Sequence, residues 1–225
     1  MHIEPGIVDG ARVALGYATG AASLGVVLRM ARGCIGRVGG LPFALRSAVA
    51  TGLVFAFFEI LPHHPVGVSE VHLILGSTLF LLFGAGPAAA GLAAGLLLQG
   101  LFFAPYDLPQ YGMNLTTLIA PLAGVALVAK RIVAPGTAYV DLDYRQALAL
   151  SAFYQGGIVM WVAFWAFYGR GFGAENLASV GSFAIAYMAV VLIEPLVDLA
   201  VLAGAKTLAA GRGELFLQRR LRHAA

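Results

Sequence analysis

The sequence predicts an all-α, polytopic integral membrane protein. Of its 225 residues, 60% are hydrophobic and only 11% are charged, whereas a typical soluble domain carries about 25% charged residues. The mean hydropathy of the whole chain is +0.86, which leaves too little polar surface to cover a water-soluble globule. Long apolar stretches recur between glycine, proline and charged residues. These observations exclude an ordinary soluble enzyme and a disordered chain.

The apolar stretches predict seven membrane spans, with six as the alternative, because a spanning helix needs about 20 residues. The third stretch is short for a complete crossing, so we expect it to be re-entrant or shielded by neighbouring helices. So little chain remains outside the spans that we expect a single domain over residues 1–225. The predicted spans cover residues 7–31, 43–61, 71–84, 86–104, 114–133, 146–168 and 178–205.

The basic residues predict the orientation in the membrane. With seven spans, all 14 lysines and arginines except Arg12 and Arg170 fall on one side. The positive-inside rule then places the C-terminus in the cytoplasm and the N-terminus outside. We expect a multi-pass protein of a bacterial inner membrane, with its arginine-rich tail, residues 214–222, on the anionic lipid surface. No basic patch alternates with aromatic residues, so nucleic acid is not an expected partner.

Most histidines fall on the opposite, outer side. His2, His63, His64 and His72 are placed there by the predicted spans, together with the acid Glu70. Imidazoles beside carboxylates are typical of a metal site. Glu70 stands two residues before His72, where its charge could offset that of a metal, although a solvated loop acid is the simpler interpretation.

The first two residues could form a metal chelate in their own right. The α-amine of Met1, the amide nitrogen of His2 and its imidazole Nδ1 can close two adjacent chelate rings, and another histidine could complete a square of four nitrogens. Such tetragonal nitrogen sites favour Cu(II) or Ni(II). Glu4 and Asp9 stand where a signal peptide would be basic, so we expect Met1 to be retained. The alternative is an ordinary surface histidine beside the start residue.

The N-terminal segment also resembles the CbiM/NikM family, the substrate-binding membrane components of energy-coupling factor transporters for cobalt and nickel. Met1, His2, Ile3 and Gly6 match the start of that family. Three weaker segments follow in the family's order over about residues 1–125. They are Pro65–His72 with an apolar run ending at Gly84, Leu98–Ala104, and Gly112–Asn114.

The resemblance implies a function and a ligand set. It implies high-affinity capture of nickel or cobalt, as transported substrate rather than cofactor, for uptake driven by separate ATP-binding subunits through a coupling membrane subunit. It also implies that Met1 and His2 bind the metal and that a later histidine completes the site. In the family this later histidine stands at a set distance along the sequence before the Gly84 position, which favours His72. The family's local His-Pro pattern instead favours His64, and His63 is a further alternative.

Other polar and small residues have two interpretations each. Asn114 could fix a ligand imidazole or cap the start of a helix. The intramembrane acids Glu194 and Asp198 could make internal hydrogen bonds or a gating contact. A four-residue repeat of alanines in the first span could pack inside the bundle or, as the resemblance implies, dock on the coupling subunit. The alanines are Ala14, Ala18 and Ala22.

Motifs for enzyme chemistry are missing from the sequence. It contains no phosphate-binding loop, no zinc-protease His-Glu-x-x-His pair and no serine-hydrolase elbow. We therefore expect a transporter component without its own ATPase site or reaction. The rival functions are a self-sufficient metal channel or secondary carrier, and an intramembrane metalloenzyme that uses the outer histidines.

Overall fold

The computed structural model describes residues 3, 5–207 and 215–222. Eight α-helices, four short 3-10 helices and one β-hairpin follow each other along this part of the chain. The helices are α1 (Val13–Val38), α2 (Gly40–Glu59), α3 (Gly76–Phe83), α4 (Ala85–Phe102), α5 (Tyr111–Ile132), α6 (Tyr144–Arg170), α7 (Ala174–Met188) and α8 (Val190–Thr207). The hairpin pairs β1 (His64–Val66) with β2 (Ser69–Val71) in antiparallel register.

Six apolar helical stretches of the described chain are long enough to cross a membrane. This confirms the all-α polytopic prediction. Large apolar side chains on the outside, such as Met160 and Ile185, suit a hydrocarbon environment. The stretches are Gly10–Val38, Gly40–Glu59, Ala85–Phe102, Pro105–Ile132, Tyr144–Arg170 and Ala174–Thr207.

The third predicted span is present but is only partly helical. Residues 72–75 are not helical, and the eight residues of α3 complete the passage to Gly84. Gly84 ends α3 with a φ of 84°, a conformation that glycine adopts without strain. His72, Ile74 and Leu75 of the non-helical stretch are buried, so its backbone is shielded from lipid, as non-helical backbone at membrane depth must be.

Two other predicted spans differ from the structure by more than a few residues. The first helix runs over Val13–Val38 instead of residues 7–31, because Ile7 and Val8 are buried outside the helix. The last span is interrupted at Ala189, which divides it into α7 and α8. Hydropathy does not detect either difference, because buried non-helical residues are as apolar as helical ones.

Small residues allow close packing of the helices. A Cβ on Gly20 of α1 would lie 2.6 Å from Cα of Gly112 in α5, and a Cβ on Gly91 of α4 would lie 2.5 Å from Cβ of Ala50 in α2. These approaches are closer than any larger side chain would permit. They bring α5 and α4 into the centre, where they position the polar residues described below.

The bundle has two chemically distinct ends. At one end, which we call the basic end, Lys206 binds Asp141 at 2.7 Å and Arg46 donates to the carbonyl of Leu215. The other end carries the β-hairpin, and we call it the hairpin end. The predicted separation of charge and the orientation relative to the cell stay predictions.

The arginine-rich tail is docked on the bundle within the described residues 215–222. Gln218 Nε2 donates to the carbonyls of Phe80 and Leu81 at 2.7 and 2.6 Å, and its main-chain nitrogen donates to Leu82. The last carbonyls of a helix have no partner within it, so Gln218 satisfies the end of α3. Leu221 is fully buried. Tertiary hydrogen bonds therefore hold this segment, in addition to any lipid contact.

Candidate metal site

The β-hairpin forms the frame of the candidate site. Its turn contains Gly67, whose φ is +62° and whose Cβ would lie only 2.0 Å from the carbonyl oxygen of Ser179 in α7. Both the backbone conformation and the contact require glycine here. The turn therefore packs directly on α7, which fixes the start of β2.

The N-terminal segment adds to this hairpin. Ile3 forms an isolated antiparallel bridge with Ser69, and both residues are buried. The main-chain nitrogen of Ile3 also donates to Oδ1 of Asn114 in α5, at 2.8 Å. Residue 3 is therefore fixed in the interior, between the hairpin and α5, at the hairpin end of the bundle.

Asn114 lies inside α5, which begins at Tyr111. It does not have the capping role that was one interpretation of the sequence, since its Oδ1 binds the N-terminal segment instead. Its side chain is almost fully buried, and its Nδ2 has no hydrogen-bond partner among the described residues. A buried side-chain amide whose NH2 group has no partner is suited to donate a hydrogen bond to a neighbouring ligand.

His72 is the fully buried histidine of the hairpin region. Its ring stacks on His63, with centroids 4.9 Å apart and planes 8° apart, and meets Phe58 edge-on at 5.4 Å. Its Nε2 lies 3.5 Å from Oε2 of Glu70. The structure thus brings together two of the predicted candidates, His72 and His63, with the predicted acid.

His64 lies on another side of the hairpin. It pairs with Val71, and both residues line an open cleft of about 350 Å³ that is closed on the far side by α7 and α8. His72, which follows the last residue of β2, is fully buried and does not line this cleft. His63 and His64 are both exposed.

Met1 and His2, the predicted chelate, lie outside the described residues. Within residues 3, 5–207 and 215–222, no group of three or more His, Cys, Asp and Glu side chains is arranged to hold a metal ion. The predicted ligand set includes the two residues beyond this part of the chain, so the set as a whole stays a prediction.

The first helix carries two different stripes of small residues. Gly16 and Gly20 face α5 and are buried, and a Cβ on Gly16 would lie 2.6 Å from Cγ of Met113. The predicted stripe is on the other side of the helix, facing outward. All of its members, Ala14, Ala18 and Ala22, are exposed.

A buried polar cluster extends from the site into the bundle. Glu194 and Asp198 of α8 make the internal hydrogen bonds that the sequence suggested. Their partners on the other helices were not identified from the sequence, because single polar residues in apolar helices give no periodic signal. The partners are Ser77, Thr78, Ser151 and Gln155.

Comparison with known proteins identifies the family. A search of curated proteins and a search of solved structures found no significant match. A family model described as the cobalt uptake substrate-specific transmembrane region, CbiM, matches residues 2–210. This range includes His2, the hairpin with His72, and all eight helices. The match confirms the resemblance seen in the N-terminal sequence, and the chain belongs to the CbiM family of cobalt uptake transmembrane proteins.

Proposed function

We propose that this protein is the substrate-binding component of an ATP-driven energy-coupling factor transporter for nickel or cobalt. Family membership supports a role in metal transport. The proposed ligands are the α-amine of Met1, the amide and imidazole nitrogens of His2, and the imidazole of His72. The transporter's energy would come from ATP-binding subunits through a coupling membrane subunit, since the chain has no phosphate-binding loop.

The bridge between Ile3 and Ser69 is the observation that carries this proposal. The bridge holds the residue that follows His2 against β2, whose last residue, Val71, directly precedes His72. Because His2 is bonded to Ile3, the proposed N-terminal ligands are attached to the chain beside the segment that carries His72.

Burial favours His72 over the other candidate histidines. A metal site that must hold its ion during transport needs ligands whose orientation is fixed by their surroundings. His72 is buried and contacts two rings, whereas His64 is exposed and faces the cleft beside α7. His63 stacks on His72 and is the next candidate.

Asn114 and Glu70 support the site without being proposed as ligands. Asn114 holds the nitrogen of Ile3, the residue that follows His2, so it fixes the residue to which the proposed chelating residues are attached. Glu70 lies 3.5 Å from the His72 Nε2. A carboxylate at that position orients the imidazole and adds negative charge near the metal.

The exposed alanine stripe supports docking on a coupling subunit. Ala14, Ala18 and Ala22 form a smooth outward surface on α1. The internal packing of α1 is carried by the glycines on its other side, so the alanines are available for a second transmembrane protein. Small residues let two helices approach closely in lipid.

Metal titration and uptake together test the proposed function. Purified protein with an untagged N-terminus is titrated with Ni(II), Co(II), Cu(II) and Zn(II), and Ni(II) or Co(II) uptake is measured in cells with and without the ATP-binding and coupling subunits. Tight binding of Ni(II) or Co(II), and uptake that depends on the added subunits, are expected. Equal uptake without those subunits would indicate a self-sufficient carrier, and turnover of a substrate by the metal-loaded protein would indicate a metalloenzyme.

A further inference from the structure

The segment that carries His72 has no regular secondary structure of its own. The nitrogen of Ile74 donates to the carbonyl of His72, and the nitrogen of Gly76 donates to that of Ile74, both at 3.0 Å. Leu75, between them, has φ −85° and ψ 67°, the values of an inverse γ-turn. Such turns are isolated and weak, so other elements must determine where this segment lies.

Glu194 of α8 joins α3, the helix that follows this segment, to α6. Its Oε1 accepts from the main-chain nitrogen of Ser77, at the start of α3, at 3.1 Å. Its Oε2 accepts from Ser151 and from Nε2 of Gln155, both on α6. Glu194 and all three partners are fully buried, and hydrogen bonds to a buried carboxylate are strong.

Gln155 extends the connection to the segment itself. Its Nε2 donates to the carbonyl of Ile74 at 2.7 Å and to Glu194 at 2.8 Å. The side-chain amide of Gln155 therefore links the Glu194 carboxylate to the γ-turn at Ile74. Gly76 packs against the ring of Tyr154, the neighbour of Gln155, so closely that a Cβ would lie 2.1 Å from Cε1.

We propose that Glu194 is a positioning residue for the metal site, which acts through Gln155 and Ser77 to fix the segment that presents His72. This inference rests on the proposed function, because it takes His72 as a metal ligand.

Asp198 provides a matched control one turn away on α8. It is also buried, and within the described part of the chain it accepts from the hydroxyl groups of Ser77 and Thr78, at 2.8 and 2.5 Å. It bonds no main-chain atom of the γ-turn segment in these contacts. Hydroxyl groups can rotate to accept a hydrogen bond, so an Asp198→Asn change is readily accommodated. In Glu194→Gln, by contrast, the NH2 group of the new side chain can face the Nε2 donor of Gln155, and two donors form no hydrogen bond with each other.

The test compares Ni(II) binding by the whole protein and by the Glu194→Gln and Asp198→Asn variants, with thermal unfolding in detergent measured alongside. We expect about a tenfold weaker Ni(II) affinity for Glu194→Gln, of the size found for residues that orient metal ligands. We also expect its ligand-field spectrum at saturating Ni(II) to shift toward that of His72→Ala. Asp198→Asn should keep the native spectrum and an affinity within about threefold of native.

The spectrum separates positioning from general stability. If Glu194→Gln is less stable but has the native spectrum and the affinity of Asp198→Asn, the inference is wrong. If Glu194→Gln does not fold, the Gln155→Met variant provides the test, because it removes the donor to Ile74 and leaves the Glu194 carboxylate. A native ligand-field spectrum of Gln155→Met would overturn the inference, and a shifted spectrum would support it. Normal Ni(II) binding by His72→Ala would refute the proposed site and, with it, the inference.

Discussion

The main-chain nitrogen of Ile3 lies 2.8 Å from Oδ1 of Asn114, although the two residues are 111 positions apart in the chain. This hydrogen bond joins the chain start to a central helix. Ile3 is fully buried and Asn114 nearly so, so the bond forms where water does not compete. It fixes the residue that follows the predicted Met1–His2 chelate.

Replacing Asn114 tests this relationship. We expect Asn114→Leu to weaken Ni(II) binding by roughly 10- to 100-fold, as for other residues that support metal ligands, and to lower the free energy of unfolding by about 1–3 kcal/mol, because the buried nitrogen of Ile3 loses its acceptor. Asn114→Asp keeps an acceptor and should bind more tightly than Asn114→Leu. Thr117→Val, at another buried position of α5, is the control, and an equal loss of affinity there would contradict the prediction.

Blocking the chain start should abolish high-affinity binding. Adding residues before Met1, or acetylating its amine, prevents the two-ring chelate from forming, and removing Met1 should have a similar effect. Binding should also strengthen as the pH rises, because the metal displaces protons from the amine and the amide. Calorimetric titration of native and extended forms measures the effect. Equal affinities would mean that Met1 and His2 are not the ligands.

The identity of the fourth ligand is tested by single histidine variants. We expect His72→Ala to lose high-affinity Ni(II) binding with the fold retained, because one ligand of four is removed. His64→Ala should bind normally, since His64 is exposed and faces the cleft beside α7 and α8. Circular dichroism and titration of both variants provide the comparison. Normal binding by His72→Ala together with loss in His64→Ala would reverse the assignment.

The two stripes on α1 should respond differently to larger side chains. Changing Ala14, Ala18 and Ala22 together to Leu should leave metal binding near normal but weaken assembly with the coupling subunit, measured by co-purification. Gly20→Leu should instead destabilise the protein alone, because even a Cβ there would lie 2.6 Å from Gly112. Aggregation of the alanine variant in detergent without any partner would show that these alanines serve internal packing.

The sequence by itself determined the fold class and the family. The apolar stretches predicted the helical spans because the thickness of the bilayer sets a minimum length that composition reveals directly. The charged residues separated the two ends for a similar reason, since charge is excluded from the hydrocarbon. The Met1–Gly6 segment indicated the family because its match is local and needs no knowledge of contacts.

Only the tertiary structure decided which residues meet. It placed His72 in the interior beside His63 and turned His64 toward α7, although the three residues lie within one short segment. It also brought Ile3 to Asn114, and Gln155 to the segment that carries His72. These contacts join distant parts of the chain through single hydrogen bonds and ring packing. They leave no period in the sequence, so they appear only when the helices are assembled.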